Sequence, residues 1–141
     1  MLVRVAEAVT VTAQRDERRA FDVPESVSSL ENDELSRRPL RSTPETLTGV
    51  TGVFVQKTNH GGGSPFVRGL TGNQVLLMVD GIRLSNSTFR YGPNQYLATV
   101  APRSIERVEV VRGSGSTLYG SDAIGGVVNV LSRGPGFTGG K

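Results

Sequence analysis

Residues 107–133 read RVEVVRGSGSTLYGSDAIGGVVNVLSR: an apolar run, a loop crowded with glycines, then a second apolar run. Glycines between two β-like segments either let backbone amides wrap an anion such as a phosphate, or let neighbouring backbones approach closely. Spacing decides against the anion. A Walker loop needs G-x-x-x-x-G-K-[ST], because backbone N–H groups wrap the phosphates while the lysine reaches the outer ones. Gly115 and Gly120 have that spacing, but Ser121 and Asp122 follow, so the lysine is missing and an acid stands where an anion should go. The dinucleotide pattern G-x-G-x-x-G fits Gly113 and Gly115 and then fails at Leu118, where close helix–strand packing needs glycine. A nucleotide-binding enzyme, which would show nucleotide protection around 113–120, is disfavoured.

The rest of the chain repeats the theme of short β-prone runs closed by Gly or Pro. Residues 7–14, EAVTVTAQ, are β-prone, and RDERRA after them is a charged, solvated stretch. Beyond Pro24, SVSSL reads as a short strand and ENDELSRRP as a short helix closed before Pro39. Ser42-Thr-Pro-Glu45 has the form of a capping box and should start a short helix, PETLTG, stopped by Gly49 or Gly52. GVFVQK (52–57) alternates as a strand does, TNHGGGSP (58–65) cannot hold regular structure, and FVRGL is a strand. After the turn TGN, QVLLMVDG (74–81) is the most continuous apolar run and the candidate central strand. Residues 84–102 form a long polar-aromatic loop. SIERVEVVRG and GGVVNVLSR are strands flanking a possible helical turn, GSTLYG, and GPGFTGGK is linker. The expected fold is α+β: a small mixed β-sheet with short helices and long loops.

With 141 residues, 18 glycines, 7 prolines and no cysteine, this is one loop-rich domain that needs no disulfide. A net charge of +3 with both signs interspersed argues against nucleic acid. No apolar run reaches the ~18 residues of a transmembrane helix. The start, MLVRVAEAVTV, lacks the core of a signal peptide, so either none is used or the chain is a mature form. His60, inside a glycine-rich loop, is the single histidine, so no nucleophilic triad and no tetrahedral zinc site is expected. Asp80-Gly81 reads as turn chemistry. The expectation is no enzyme, no cofactor and no resident metal.

Taken in order, AVTVTAQR, GVFVQ…FVRG, VLLMVDGIR and SIERVEVVRGSGSTLYGSDAIGGVVNV resemble the plug domain of TonB-dependent outer-membrane receptors, over nearly the whole chain. The resemblance implies a plug fold that sits inside a β-barrel of about 22 strands and blocks its pore. It divides the chain into a flexible leader (1–20), a plug (21–133) and a linker (134–141) towards a barrel that is absent here. It also implies that the glycine-rich loop packs where plug backbone meets barrel wall. The location implied is the barrel lumen in the outer membrane, or the periplasm for a stand-alone version.

Site residues follow from the same resemblance. Glu7, Ala8, Val9, Thr10, Val11, Thr12 and Ala13 look like the TonB box, an extended segment suited to adding a strand to the C-terminal domain of TonB. Arg68 of FVRG and Arg112 of VVRG, each before a glycine at a strand end, match positions that pair with glutamates on the barrel wall; without the barrel, Glu106 and Glu109 can replace those partners. The apical loops, with His60, Arg83, Phe89, Arg90, Tyr91 and Tyr96, would meet the transported ligand, haem or a ferric siderophore, by stacking and charge. The competing reading is a stand-alone periplasmic binding protein with the same fold. The isolated domain should be marginally stable, with mobile loops at 58–65 and 84–101.

Overall fold

A computed structural model of the chain describes residues 10–11, 18–19, 26–57, 59–84, 96–113 and 120–134, the first two pairs as backbone only. Near the N-terminus β1 (Thr10–Val11) pairs antiparallel with β2 (Arg18–Arg19) as a separate two-stranded ladder. The stretch expected to be merely charged and solvated therefore contributes a strand.

β3 (Ser26–Glu31) runs directly into α1 (Asn32–Ser36), whose first turn carries Asp33 and Glu34, favourable at the positive end of a helix. Leu35 is the residue α1 buries. A 3-10 turn follows at Thr43–Leu47. Its expected capping box forms by half. Glu45 reaches back, but to the N–H of Arg41, and Ser42 makes no side-chain cap. β4 (Val53–Gln56) and β5 (Ser64–Val67) form an antiparallel hairpin. β5 starts inside the stretch expected to be irregular, because Pro65, which has no N–H, is tolerated in a two-stranded ladder. It also ends before Arg68. Arg68 and Gly69, with φ of 53° and 81°, form a tight turn that brings Leu70 back onto Val67.

The main sheet has five strands in the order β3-β8-β9-β6-β7, where β6 is Val75–Val79, β7 Ile82–Arg83, β8 Ile105–Arg112 and β9 Gly126–Ser132. β6 and β9 are parallel; every other pair is antiparallel. The centre belongs to β9, not to β6 as its apolar run suggested. β6 lies one place further out because Asp80 and Gly81, both left-handed, turn it straight back into the two-residue β7. Asp80 does more than turn the chain: its carboxylate accepts the N–H (2.8 Å) and hydroxyl (2.7 Å) of Ser132, fastening the end of β9.

Valines make β8 and β9 a two-sided core, since β-branched side chains pack well on a pleated surface. One face carries Val108, Val110, Val128 and Val130 against Val75, Leu77, Leu47, Val67 and Leu97; the other carries Val111 and Val127 against Leu76, Met78 and Ala123. Each such side chain contributes about 1.5–3 kcal/mol by leaving water. Glu109 and Asn129 face each other across β8 and β9 and are fully buried, with Arg107 Nη2 at 2.9 Å from the carboxylate.

The glycine question is answered at the head of β9. A Cβ on Gly126 would stand 2.5 Å from the carbonyl oxygen of Val111, and one on Gly125 would stand 2.8 Å from Leu70 Cβ. The expectation put this close approach at a barrel wall. The approaches at Gly125 and Gly126 lie within the domain, where β9 packs against β8 and the turn after β5; residues 114–119 of the loop lie outside the described residues.

Candidate functional site

The two V-R-G motifs meet at Gly52. Arg112 ends β8, and its guanidinium donates to the carbonyl oxygen of Thr51 and to Ser26 Oγ, the latter at 2.6 Å. Ser26 faces Arg112 in the β3–β8 register, so the second bond closes the end of that strand pair. From the other side the backbone N–H of Arg68 donates to the carbonyl of Gly52 at 2.9 Å. Gly52 has φ +75°, and Arg112 Cδ lies 3.1 Å from the point where a Cβ would sit. Three segments distant in sequence, the start of β3, the turn before β4 and the end of β8, are thus tied by one arginine. Arg68 is exposed, and its guanidinium has no hydrogen bond or ion pair among the described residues.

Glu106 and Glu109 do not serve as substitute partners for these arginines. Glu106 lies 3.8 Å from Arg133 and Glu109 2.9 Å from Arg107. The reason is strand geometry: Glu106 is six residues from Arg112, about 20 Å along an extended chain. Glu109, three residues away, points to the opposite face.

The two loops expected to meet cargo have their roots on the 3-10 turn at Thr43–Leu47. A Cβ on Gly63 would stand 2.9 Å from Pro44 Cβ, so the β4–β5 loop rests against this turn. Thr43 Oγ1 donates to the carbonyl of Val100, at the end of the second loop. Glu45 completes the platform. Its carboxylate accepts hydrogen bonds from Lys57 Nζ, just beyond β4, and from the N–H of Arg41; these, with the Lys57 bond foremost, hold its pKa below the ordinary 4.5.

His60 is exposed in a turn shaped by Asn59, whose Oδ1 accepts the N–H groups of Gly61 and Gly62. Tyr96 is half-buried at the start of a 3-10 turn, Tyr96–Thr99, that buries Leu97. Arg83 stands elsewhere, on the edge strand β7, paired with Asp122 at 2.9 Å. Phe89, Arg90 and Tyr91 lie outside the described residues, as do Glu7, Ala8, Val9, Thr12 and Ala13 of the leader. Of that leader, Thr10 and Val11 form β1.

Sequence reasoning missed Ser26 and Thr51 as the acceptors that orient Arg112, Asp122 as the partner of Arg83, and Thr43 and Pro44 as the loop platform. Only Thr43 and Pro44 had a local signal, the pattern that marks Ser42 to Glu45 as a helix start.

The family model described as TonB-dependent Receptor Plug Domain matches residues 19–127. The vitamin B12 transporter BtuB of Vibrio vulnificus is 36% identical over 132 residues, covering 92% of this chain and 21% of the transporter. The iron-regulated outer membrane virulence protein of Vibrio cholerae is 38% identical over 134 residues, covering 90% of this chain and 20% of that protein. Among solved structures, the ferric yersiniabactin uptake receptor FyuA from Yersinia pestis superposes with a TM-score of 0.62 at 25% identity, over 89% of this chain and 20% of the receptor. The chain spans about a fifth of the length of these curated relatives. They are transporters and receptors rather than enzymes.

Proposed function

Because the chain belongs to the plug-domain family of TonB-dependent receptors, we propose that it is the gate of an outer-membrane transporter, occluding a barrel and coupling cargo binding to TonB. No covalent bond is made. The work is done by strand pairing, arginine–carboxylate contacts and cargo recognition at the loops.

The observation that carries this reading is the junction at Gly52. Arg112 at the end of β8 and Arg68 just past β5 both bond to the turn at residues 51–52, Arg68 through its backbone N–H, and the exposed Arg68 guanidinium has no partner among the described residues. Five N–H donors in a planar fork suit a carboxylate, so a glutamate on the barrel wall is the partner proposed for Arg68. Arg112 can meet a second one by exchanging its contacts to Thr51 and Ser26. In the leader, residues 7–13 act as the TonB box. An extended segment offers alternate N–H and C=O groups along one edge, and the C-terminal domain of TonB takes them up by strand addition.

The cargo proposed is an iron chelate, haem or a ferric siderophore. Phe89, Tyr91 and Tyr96 supply stacking surfaces, Arg90 supplies positive charge, and His60, exposed at its loop tip, can ligate haem iron. A second reading, a corrinoid cargo, is favoured by the vitamin B12 transporter at 36% identity. Equilibrium binding of haem, a ferric catecholate and cobalamin to the receptor carrying this chain separates the readings.

The gate itself is tested by NMR titration of isotopically labelled chain with the C-terminal domain of TonB. Shifts centred on about residues 7–14 are expected, and Val9→Pro, which removes a ladder N–H, should abolish them. Binding that survives the proline would reject the strand-addition reading.

A further inference from the structure

The ladder between β1 and β2 bears on how the leader meets its partner. Thr10 faces Arg19 and Val11 faces Arg18. This sheet contains two strands and is separate from both the five-stranded sheet and the β4–β5 hairpin. In a two-stranded ladder each strand uses one edge and leaves the other without a ladder partner. β1 is therefore an edge strand in its own right, and Thr10 and Val11 lie in the middle of residues 7–13.

We propose that β2 is a backing strand: it holds β1 extended, so that a partner with an exposed sheet edge adds to the outer edge of β1 and the product is a continuous sheet, partner-β1-β2. This inference rests on the reading of residues 7–13 as the TonB-binding segment and adds to it a role for Arg18–Arg19, which that reading leaves unused.

The physical reason is the ordering cost of strand addition. A disordered segment must be fixed residue by residue as it pairs, and that entropy is subtracted from the affinity. A segment already extended against β2 has met part of the cost before the encounter. Competition by β2 is not required, because the antiparallel pairing with Arg18–Arg19 occupies one edge only. A ladder of two residue pairs is marginal in water, so the extended form is populated only in part. Apparent affinity falls in proportion to that fraction, and locking the ladder should lower the dissociation constant about three- to tenfold.

The chain has no cysteine, which makes the test clean. Two double variants of the full chain, Thr10→Cys with Arg19→Cys and Val11→Cys with Arg18→Cys, cover both cross-strand pairs; the pair without mutual hydrogen bonds brings its Cα atoms closest and should close a disulfide. Affinity for the C-terminal domain of TonB is then measured by calorimetry on oxidised and reduced protein, with wild type under the same conditions. The expected result is a three- to tenfold tighter complex for the oxidised form, reversed by reductant, with wild type unaffected. Equal affinities in the two redox states, or binding lost on oxidation, would overturn the backing-strand role while leaving the TonB-binding segment in place. No binding by wild type either would remove both readings together. Because each variant serves as its own control, loss of a side chain contact is separated from the effect of the lock.

Discussion

Arg68 and Arg112 share the tripeptide V-R-G, yet the two regions that hold them are built differently. Arg112 is the last residue of an eight-residue strand, and its side chain is clamped on Thr51 and Ser26. Arg68 stands past the end of a four-residue strand in a left-handed turn, its side chain exposed. One region is rigid because several segments converge on it; the other is held by its backbone and leaves its charged group available. The same letters therefore mark a clamp in one place and an offered contact in the other.

The largest expected effect tests how much the clamp depends on strand closure. Gly126→Ala would drive a methyl group to within 2.5 Å of the Val111 carbonyl at φ +151°, and should cost about 3–5 kcal/mol, read as a lower urea midpoint or outright unfolding. Gly69→Ala, beside Arg68, meets nothing within 4 Å and should cost only the left-handed penalty of about 1–2 kcal/mol. Similar losses in the two variants would erase the distinction between the regions.

Next comes the pair of arginines. Arg112→Ala removes two charge-assisted hydrogen bonds and should lower stability by about 1.5–3 kcal/mol, whereas Arg68→Ala should stay within about 0.5 kcal/mol. Chemical denaturation of both settles it, and an Arg68→Ala loss matching that of Arg112→Ala would show a hidden structural role. Ser26→Ala, which takes one acceptor from Arg112, should fall between them at about 1 kcal/mol.

The smallest effect concerns the far end of the β4–β5 hairpin. The Glu45 carboxyl has a folded-state pKa below 4.5, with the Lys57 hydrogen bond as the main cause. A depressed carboxylate contributes its stability fully above the unfolded value and loses it as pH falls through the lower folded value. Thermal melts of wild type should therefore show a small extra loss below about pH 4.5, and Lys57→Met should flatten it. A Lys57→Met melt that keeps the full acid slope would place the titration elsewhere.

What the sequence revealed and what it withheld follow from the range of the forces. β3, α1, β4, β8 and β9 were legible because alternation, β-branched residues and Gly or Pro terminators act within a few residues. The junction at Gly52 was not, since Arg112 finds its acceptors 61 and 86 positions away. Arg68 was placed at a strand end because nothing local announces that a non-glycine residue will adopt φ 53°. The central place of β9 was missed for a related reason: apolar continuity ranks strands by burial, whereas order in the sheet is fixed by who pairs with whom. Of the cargo loops, only the helix-start signal hinted at a shared root, and the platform came from contacts between loops separated by 57 positions.

The place of β9 also sets the tempo at which the domain can form. Its neighbours β8 and β6 precede it in the chain, and β3 pairs with a strand some eighty residues later. β3 must therefore wait for β8 while the polypeptide emerges, β6 has only the two-residue β7 beside it, and the sheet closes only when residues 126–132 arrive. Contacts so distant along the chain make for slow folding, in the range of milliseconds to seconds rather than microseconds. Until that last segment is delivered, the valine-rich strands remain exposed and need protection from association with other chains.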